Sequence, residues 1–202
     1  PCSDTLRENT TADFSIINEL MEDFRPPEEL RRGRQNIQKQ INNPFMQFLR
    51  WSCKKLLDSH NHSVLAFVVP LSFLEAESYR YARKYLCEHF SDVWAVAVDA
   101  DARTGARSDS LFHTLQGRAV IVLTRKYGAT APVTKVRYCD YSHSMRKEKE
   151  RLLSGDIEDI SSRFGEYTID ADTFAFSPVK PFNMDMYKKF WPMSDENGQN
   201  AI

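Results

Sequence analysis

The side chains best placed to do chemistry in this chain fall in three strings. His60-Asn61-His62 puts two imidazoles one residue apart in a turn. No cysteine or carboxylate pair stands near them at metal-ligand spacing, so they read as loop residues and no metal site is assigned. Asp99-Ala100-Asp101 sets two carboxylates at the end of an apolar run, which suits either magnesium or internal ion pairing. Arg103 and Arg107 follow at once, and pairing is the reading adopted. The same polar stretch brings Phe112, Gln116 and Arg118. Arg103, Arg107 and Arg118 are candidates for contacts with nucleic-acid phosphates, each adding to a salt-dependent affinity. Phe112 reads on its own as a core residue closing the sheet. Arg31, Arg32, Arg34 and Lys39 form a third string, either phosphate contacts or a solvated helix or loop. None of the seven glycines makes a Gly-x-Gly, so there is no glycine-rich loop to cradle a phosphate. No side chain is assigned as catalytic.

Three apolar runs must position these residues: Val64 to Leu74, Asp92 to Asp99 and Leu115 to Lys126. Each is about the length of a buried strand, roughly 5 to 8 residues, and none alternates with polar residues. That composition predicts strands covered on both faces. A helix from Glu75 to Phe90 separates the first two, with Tyr79, Ala82, Leu86 and Phe90 inward and Arg80, Arg83 and Lys84 outward. Strand, helix and strand in this order make a crossover and a parallel pair. Ligands of such sheets bind beyond the carboxyl ends of the strands, where Pro70, Ser72 and the loop 99–118 lie.

Two helices precede the first strand. One is expected from Asp13 to Phe24, capped by Thr10 or Thr11, with Phe14, Ile17, Leu20 and Met21 on one face. The other starts at Asn43-Pro44, a capping residue followed by proline, and turns Phe45, Phe48, Leu49, Cys53, Leu56 and Leu57 to the sheet. After the strand at 118–125, a further strand is expected near Lys135 to Tyr141. From residue 144 the character changes. A charged helix, Met145 to Leu153, leads into aromatic anchors at Phe164, Tyr167, Phe174, Phe176, Phe182 and Trp191, spaced by Pro178, Pro181 and Pro192. The division expected is 1–143 as an α/β unit (with 1–42 a peripheral helix and basic segment), 144–193 as a docking layer, and 194–202 as a disordered tail.

With Lys+Arg 27 against Asp+Glu 28, the net charge of −1 supplies no global basic field, so attraction to nucleic acid would have to be local. The four cysteines, Cys2, Cys53, Cys87 and Cys139, form no close pair, which suits reduced thiols and a cytoplasmic setting. No apolar run reaches the ~20 residues of a membrane span, and no membrane partner is expected. The sequence begins at Pro1 without a methionine, which reads as a fragment.

Five strings in order resemble the second half of an adenine-N6 DNA methyltransferase catalytic domain. They are the helix ending Lys55-Leu56-Leu57, the strand end Val69-Pro70-Leu71-Ser72-Phe73-Leu74, and Arg80-x-x-Arg83-Lys84-x-Leu86. Next come the Phe90-Ser91-Asp92-Val93 entry to a strand, and Phe112 followed by polar residues and then Gln116 and Gly117 before an apolar strand closing on Lys126. The match runs from about Phe45 to Trp191. Tyr138-Cys139-Asp140-Tyr141 before a charged helix, and Val179-Lys180-Pro181-Phe182-Asn183, are similar to type ISP restriction-modification enzymes, with Lys for the family's Arg and Asn for its Asp. Asn42-Asn43-Pro44-Phe45 looks like the family's Asn-Pro-Pro-aromatic motif but has Asn at the second position and only one proline, and is read as a helix cap.

The resemblance implies an α/β fold: part of a Rossmann-like class I methyltransferase sheet, parallel strands with one antiparallel strand at 118–125, plus a C-terminal irregular α+β layer. It implies a parent enzyme that moves a methyl group from S-adenosylmethionine to adenine N6 in double-stranded DNA with the adenine flipped out. Pro70, Ser72, Phe112 and Gln116 would then border the target base, and Arg103, Arg107 and Arg118 the DNA backbone. The rest of the methyltransferase and a target-recognition domain would be its partners. The cofactor motif is missing, so this chain alone is expected to bind no S-adenosylmethionine and to be inactive. Two alternatives stand beside this reading: a non-catalytic nucleic-acid or protein interaction module on a degenerate methyltransferase scaffold, and an unrelated doubly wound enzyme.

Overall fold

A computed structural model describes residues 14–31, 39–102, 109–129 and 131–178. Its centre is a five-stranded sheet of β1 (Ser63–Pro70), β2 (Asp92–Asp99), β3 (Arg118–Arg125), β4 (Lys135–Asp140) and β5 (Gly165–Thr168), in the order β1-β3-β2-β4-β5. β3 lies between β1 and β2 and runs antiparallel to both, pairing Phe67 and Ala95 with Ile121. β1 and β2 therefore point the same way, and β2 and β4 pair parallel. The inserted antiparallel strand is the arrangement expected for residues 118–125. The fold is mixed α/β.

The helices are α1 (Phe14–Met21), α2 (Pro44–Leu57), α3 (Arg80–His89), α4 (Arg146–Ser154) and α5 (Ile157–Ser162). The side chain of Asn43 accepts from the Phe45 N–H at 3.2 Å, so Asn43-Pro44 does start α2 as a cap. Thr10 and Thr11, the expected caps of α1, lie outside the described residues, as do Phe182, Trp191 and the tail 194–202. The connection expected as one helix from Glu75 to Phe90 is divided. Two 3₁₀ turns, Leu71–Leu74 and Glu77–Tyr79, come before α3.

One face of the sheet is closed. Val69, Val93, Ala95, Ala97, Ala119, Ile121, Leu123 and Val136 are buried in one cluster with Met46, Leu49 and Cys53 of α2 and Ala82 and Leu86 of α3. On the other face, Val64 and Val68 are exposed and Trp94, Val96, Val120 and Val122 are only half-buried. The expectation of strands covered on both faces is thus corrected. Burial alternates along β1, β2 and β3, although both faces are apolar in sequence.

Two helix faces also differ from expectation. In α2 the buried residues are Met46, Leu49, Arg50 and Cys53, spaced at 3, 1 and 3 residues, while Phe48 is 57% exposed against Trp51 and Phe67. Arg50 can lie inward because its Nη2 reaches Asp23 at 2.5 Å and its guanidinium stacks 4.6 Å from the Tyr85 ring. In α3, Arg83 is expected outward but is fully buried. Its guanidinium donates to the carbonyls of Phe73, Ala76, Thr173 and Phe174 at 2.7–2.9 Å and to Glu75 at 3.4 Å. A buried cation is tolerated when every donor finds an acceptor. Burial lowers Arg83 to about 10, still charged at neutral pH. The contact staples residues 170–176 to the turn after β1, where Phe176 packs on Phe73 and its N–H donates to the Leu74 carbonyl at 2.8 Å.

Candidate functional site

The carboxyl ends of β1 and β2 and the start of β3 meet at one edge, where Arg118 is the register partner of both Pro70 and Asp99. Gly117 makes that meeting possible. A Cβ there would stand 2.8 Å from the Asp99 carbonyl oxygen and 2.9 Å from the Leu71 Cβ, closer than packed atoms approach. With glycine in place, the Leu71 N–H donates to the Gly117 carbonyl at 2.8 Å and the Ala102 N–H to that of Leu115 at 2.9 Å. β4 joins the same edge, with the Ala100 N–H donating to the Ser142 carbonyl at 3.3 Å.

The loop that carries Phe112 is held from below by one carboxylate. Asp99 is fully buried and accepts from the N–H groups of Leu111 (2.9 Å) and Phe112 (3.1 Å), the Ser110 hydroxyl (2.9 Å) and the Lys149 ammonium (3.0 Å). Burial pushes this carboxyl upward, but the Leu111, Phe112, Lys149 and Ser110 donors outweigh it and hold Asp99 below the usual carboxylate range. Lys149 is buried in turn and also donates to the Asp109 carbonyl at 2.9 Å. Beside Phe112, His113 adopts φ 53°, a left-handed backbone that few residues other than glycine enter. Its Nε2 lies 3.0 Å from Arg146 Nη1.

The residues expected to border a base all lie along this edge. Pro70 is buried at the end of β1, Ser72 is exposed on the following turn, Phe112 is 37% exposed and outside the core cluster, and Gln116 is half-buried. Arg118 is half-buried, and its guanidinium has no hydrogen-bond or ion-pair partner among the described residues. Arg103 and Arg107 lie outside the described residues. Asp99 was expected to pair with nearby arginines and pairs instead with Lys149, fifty residues downstream. Lys149 and Leu152, three residues apart on α4, are both buried.

The remaining strings are placed elsewhere. His62 Nδ1 accepts from the Tyr127 N–H at 3.2 Å and the His60 ring lies tilted against Tyr127, 5.7 Å between centroids, at the opposite edge of the sheet. Among the described residues no group of three or more His, Cys, Asp or Glu could hold a metal ion. No helix among them is long and apolar enough to cross a membrane.

No protein-family model matches this sequence, and no curated protein matches it either. Solved structures do. The ATP-dependent type ISP restriction-modification enzyme LlaBIII bound to DNA aligns with 96% of the chain at TM-score 0.68 and 16% identity. A nuclease-deletion mutant of the type ISP enzyme LlaGI, with a DNA substrate mimic, aligns with 77% at TM-score 0.55 and 20% identity. The DrdV–DNA complex aligns with 63% at TM-score 0.51 and 24% identity. At such identities the likeness is one of fold: this mixed α/β sheet also occurs within restriction-modification enzymes. The chain spans 12% of the length of each of these three proteins.

Proposed function

We propose that this chain is the target-base half of an adenine-N6 DNA methyltransferase domain, in a cytoplasmic restriction-modification enzyme of the type ISP kind. The observation that carries the reading is the antiparallel β3 between β1 and β2, which gathers Pro70, Ser72, Phe112 and Gln116 along one edge. The likeness to LlaBIII over nearly the whole chain supports it. An unrelated doubly wound enzyme would more simply have made residues 118–125 parallel to their neighbours.

Within this reading the chain's own residues bind and orient. Phe112 offers its exposed ring to a flipped adenine, and Ser72 and Gln116 border it with groups able to hydrogen-bond. Arg118, with Arg103 and Arg107, meets DNA phosphates. The parent's cofactor, S-adenosylmethionine, would bring the methyl group. The residues here do not fit it, because the strand-end carboxylate of Asp99 is occupied by four donors and cannot take a ribose hydroxyl. No step of methyl transfer is therefore assigned to this chain. Calorimetric titration with S-adenosylmethionine should give no saturable heat; micromolar binding would mean that the family or the site is wrong.

DNA binding by the chain itself should be weak and non-specific. With about three to five phosphates neutralised, log affinity should fall with log salt at a slope of roughly −3 to −4. A gel-shift series across salt measures it, and Arg118→Ala should flatten the slope by about one unit. Tight, sequence-selective binding that survives high salt would instead place the recognition surface on this chain. A second reading, a non-catalytic interaction module on the same scaffold, draws on the half-covered sheet face. It would be favoured if DNA binding were absent at low salt.

A further inference from the structure

Helix α4 grips the Phe112 loop at three levels. The Arg146 N–H points to Asp109 Oδ2 at 3.4 Å, the Arg146 guanidinium meets His113, and Lys149 spans from the Asp109 carbonyl to Asp99. The last contact is the deepest, since the Lys149 and Asp99 side chains are 1% and 0% exposed. Asp99 then passes the constraint on, because it also accepts from the backbone N–H groups of Leu111 and Phe112. A loop that only closed a turn would not need a buried ion pair, whose desolvation is costly unless the geometry is well satisfied. Here that pair fixes two consecutive amides directly beneath an exposed ring and next to a residue in a left-handed backbone.

We infer that Asp99 and Lys149 are positioning residues: through them helix α4 sets where Phe112 and His113 stand at the strand-end edge. The inference rests on the proposed function for its use, since Phe112 is the ring that would meet a base. The structural part stands without it. Loop and helix move as one unit, and a displacement of α4 displaces the ring.

The test uses the full 202-residue chain and two readouts. The first is amide exchange at Leu111 and Phe112, measured by NMR. The second is affinity for a duplex with one unpaired 2-aminopurine relative to the fully paired duplex. Phe112→Ala should lower that preference by about tenfold, the loss of one base-aromatic stack. Lys149→Met should speed exchange at both amides and lower the preference similarly. In the Phe112→Ala background it should cost nothing more, a non-additivity that a merely structural role would not produce.

Lys149→Met leaves a buried carboxylate unpaired and could unfold the chain. Ser110→Ala, which removes one donor, and the neutral pair Asp99→Asn with Lys149→Met then carry the same two measurements. Unchanged exchange at Leu111 and Phe112 overturns the clamp. Faster exchange with an unchanged base preference, while Phe112→Ala abolishes it, also overturns the positioning role. If Phe112→Ala alone changes nothing, the proposed function loses its base contact, and the exchange readout by itself decides whether α4 holds the loop.

Discussion

The two faces of the sheet are built from the same kinds of side chain and end in different states. On the α2–α3 face, Ala95, Ala119, Ile121 and Leu123 are fully buried against helices. On the other, Trp94, Val96, Val98, Val120 and Val122 share a cavity of about 660 Å³ with Leu111, Leu152, Ile160 and Phe164. Helices α4 and α5 roof only part of it, Phe164 meets Trp94 edge-on at 4.9 Å, and Arg137 lies 4.7 Å over the same indole. The difference teaches that hydrophobicity sets which residues can be buried, while the supply of covering elements sets which ones are.

That contrast can be broken by paired substitutions. Ile121→Ala, on the closed face, should cost about 2 to 5 kcal/mol, because a packed site cannot collapse around the missing methyl groups. Val122→Ala, its neighbour on the cavity side, should cost only about 1 kcal/mol, since little close packing is lost there. Chemical denaturation of both variants measures the difference. Equal costs would show that the second face is as well packed as the first.

Arg83→Met probes the staple behind the closed face. Loss of its donors leaves buried carbonyls of Phe73, Ala76, Thr173 and Phe174 short of a partner, and should cost about 2 to 4 kcal/mol. Amide exchange should rise first at Phe176, whose N–H is bonded to Leu74. An unaffected Phe176 would mean that residues 170–176 dock without Arg83.

On the cavity side, filling should succeed where truncation does little harm. Val96→Phe lines the void and should raise stability by about 1 kcal/mol if the ring enters it. A loss of stability of that size would show that the void cannot accept a ring.

The smallest effect expected is one of pH. Asp99 is lowered in the folded state, so its contribution is complete above the ordinary carboxylate value of about 3.9 and is lost as pH falls through its lowered value. Asp99→Asn combined with Lys149→Met, which leaves neither charge buried alone, should flatten the acid limb of the stability curve in that window. An acid limb unchanged by the two substitutions would mean that Asp99 is not held down by its donors.

Much of the scaffold was legible beforehand because its signals are local. Asn43-Pro44 caps a helix by its own chemistry, β-branched runs extend, and a helix between two of them forces a crossover. The strand-end residues Pro70, Ser72, Phe112 and Gln116 could be gathered on one edge by the same rules. Arg83, Arg50 and Lys149 could not. A charged side chain on a helix reads as solvent-facing until acceptors arrive from elsewhere, and theirs come from far along the chain: 90 and 91 residues for Thr173 and Phe174, 27 for Asp23, 50 for Asp99.

By itself, then, the sequence determined that the helices α1 to α4 and the strands β1 to β4 form and that β2 crosses over from β1. Those follow from backbone sterics and the period of apolar residues, which act within a few positions. Tertiary structure alone decided that one face of the sheet is closed and the other half-open, that Arg83 and Lys149 turn inward, and that Asp99 holds the Phe112 loop. Each depends on desolvation and on partners supplied by distant segments, and the free energy of burying a charge exists only once those partners are in place.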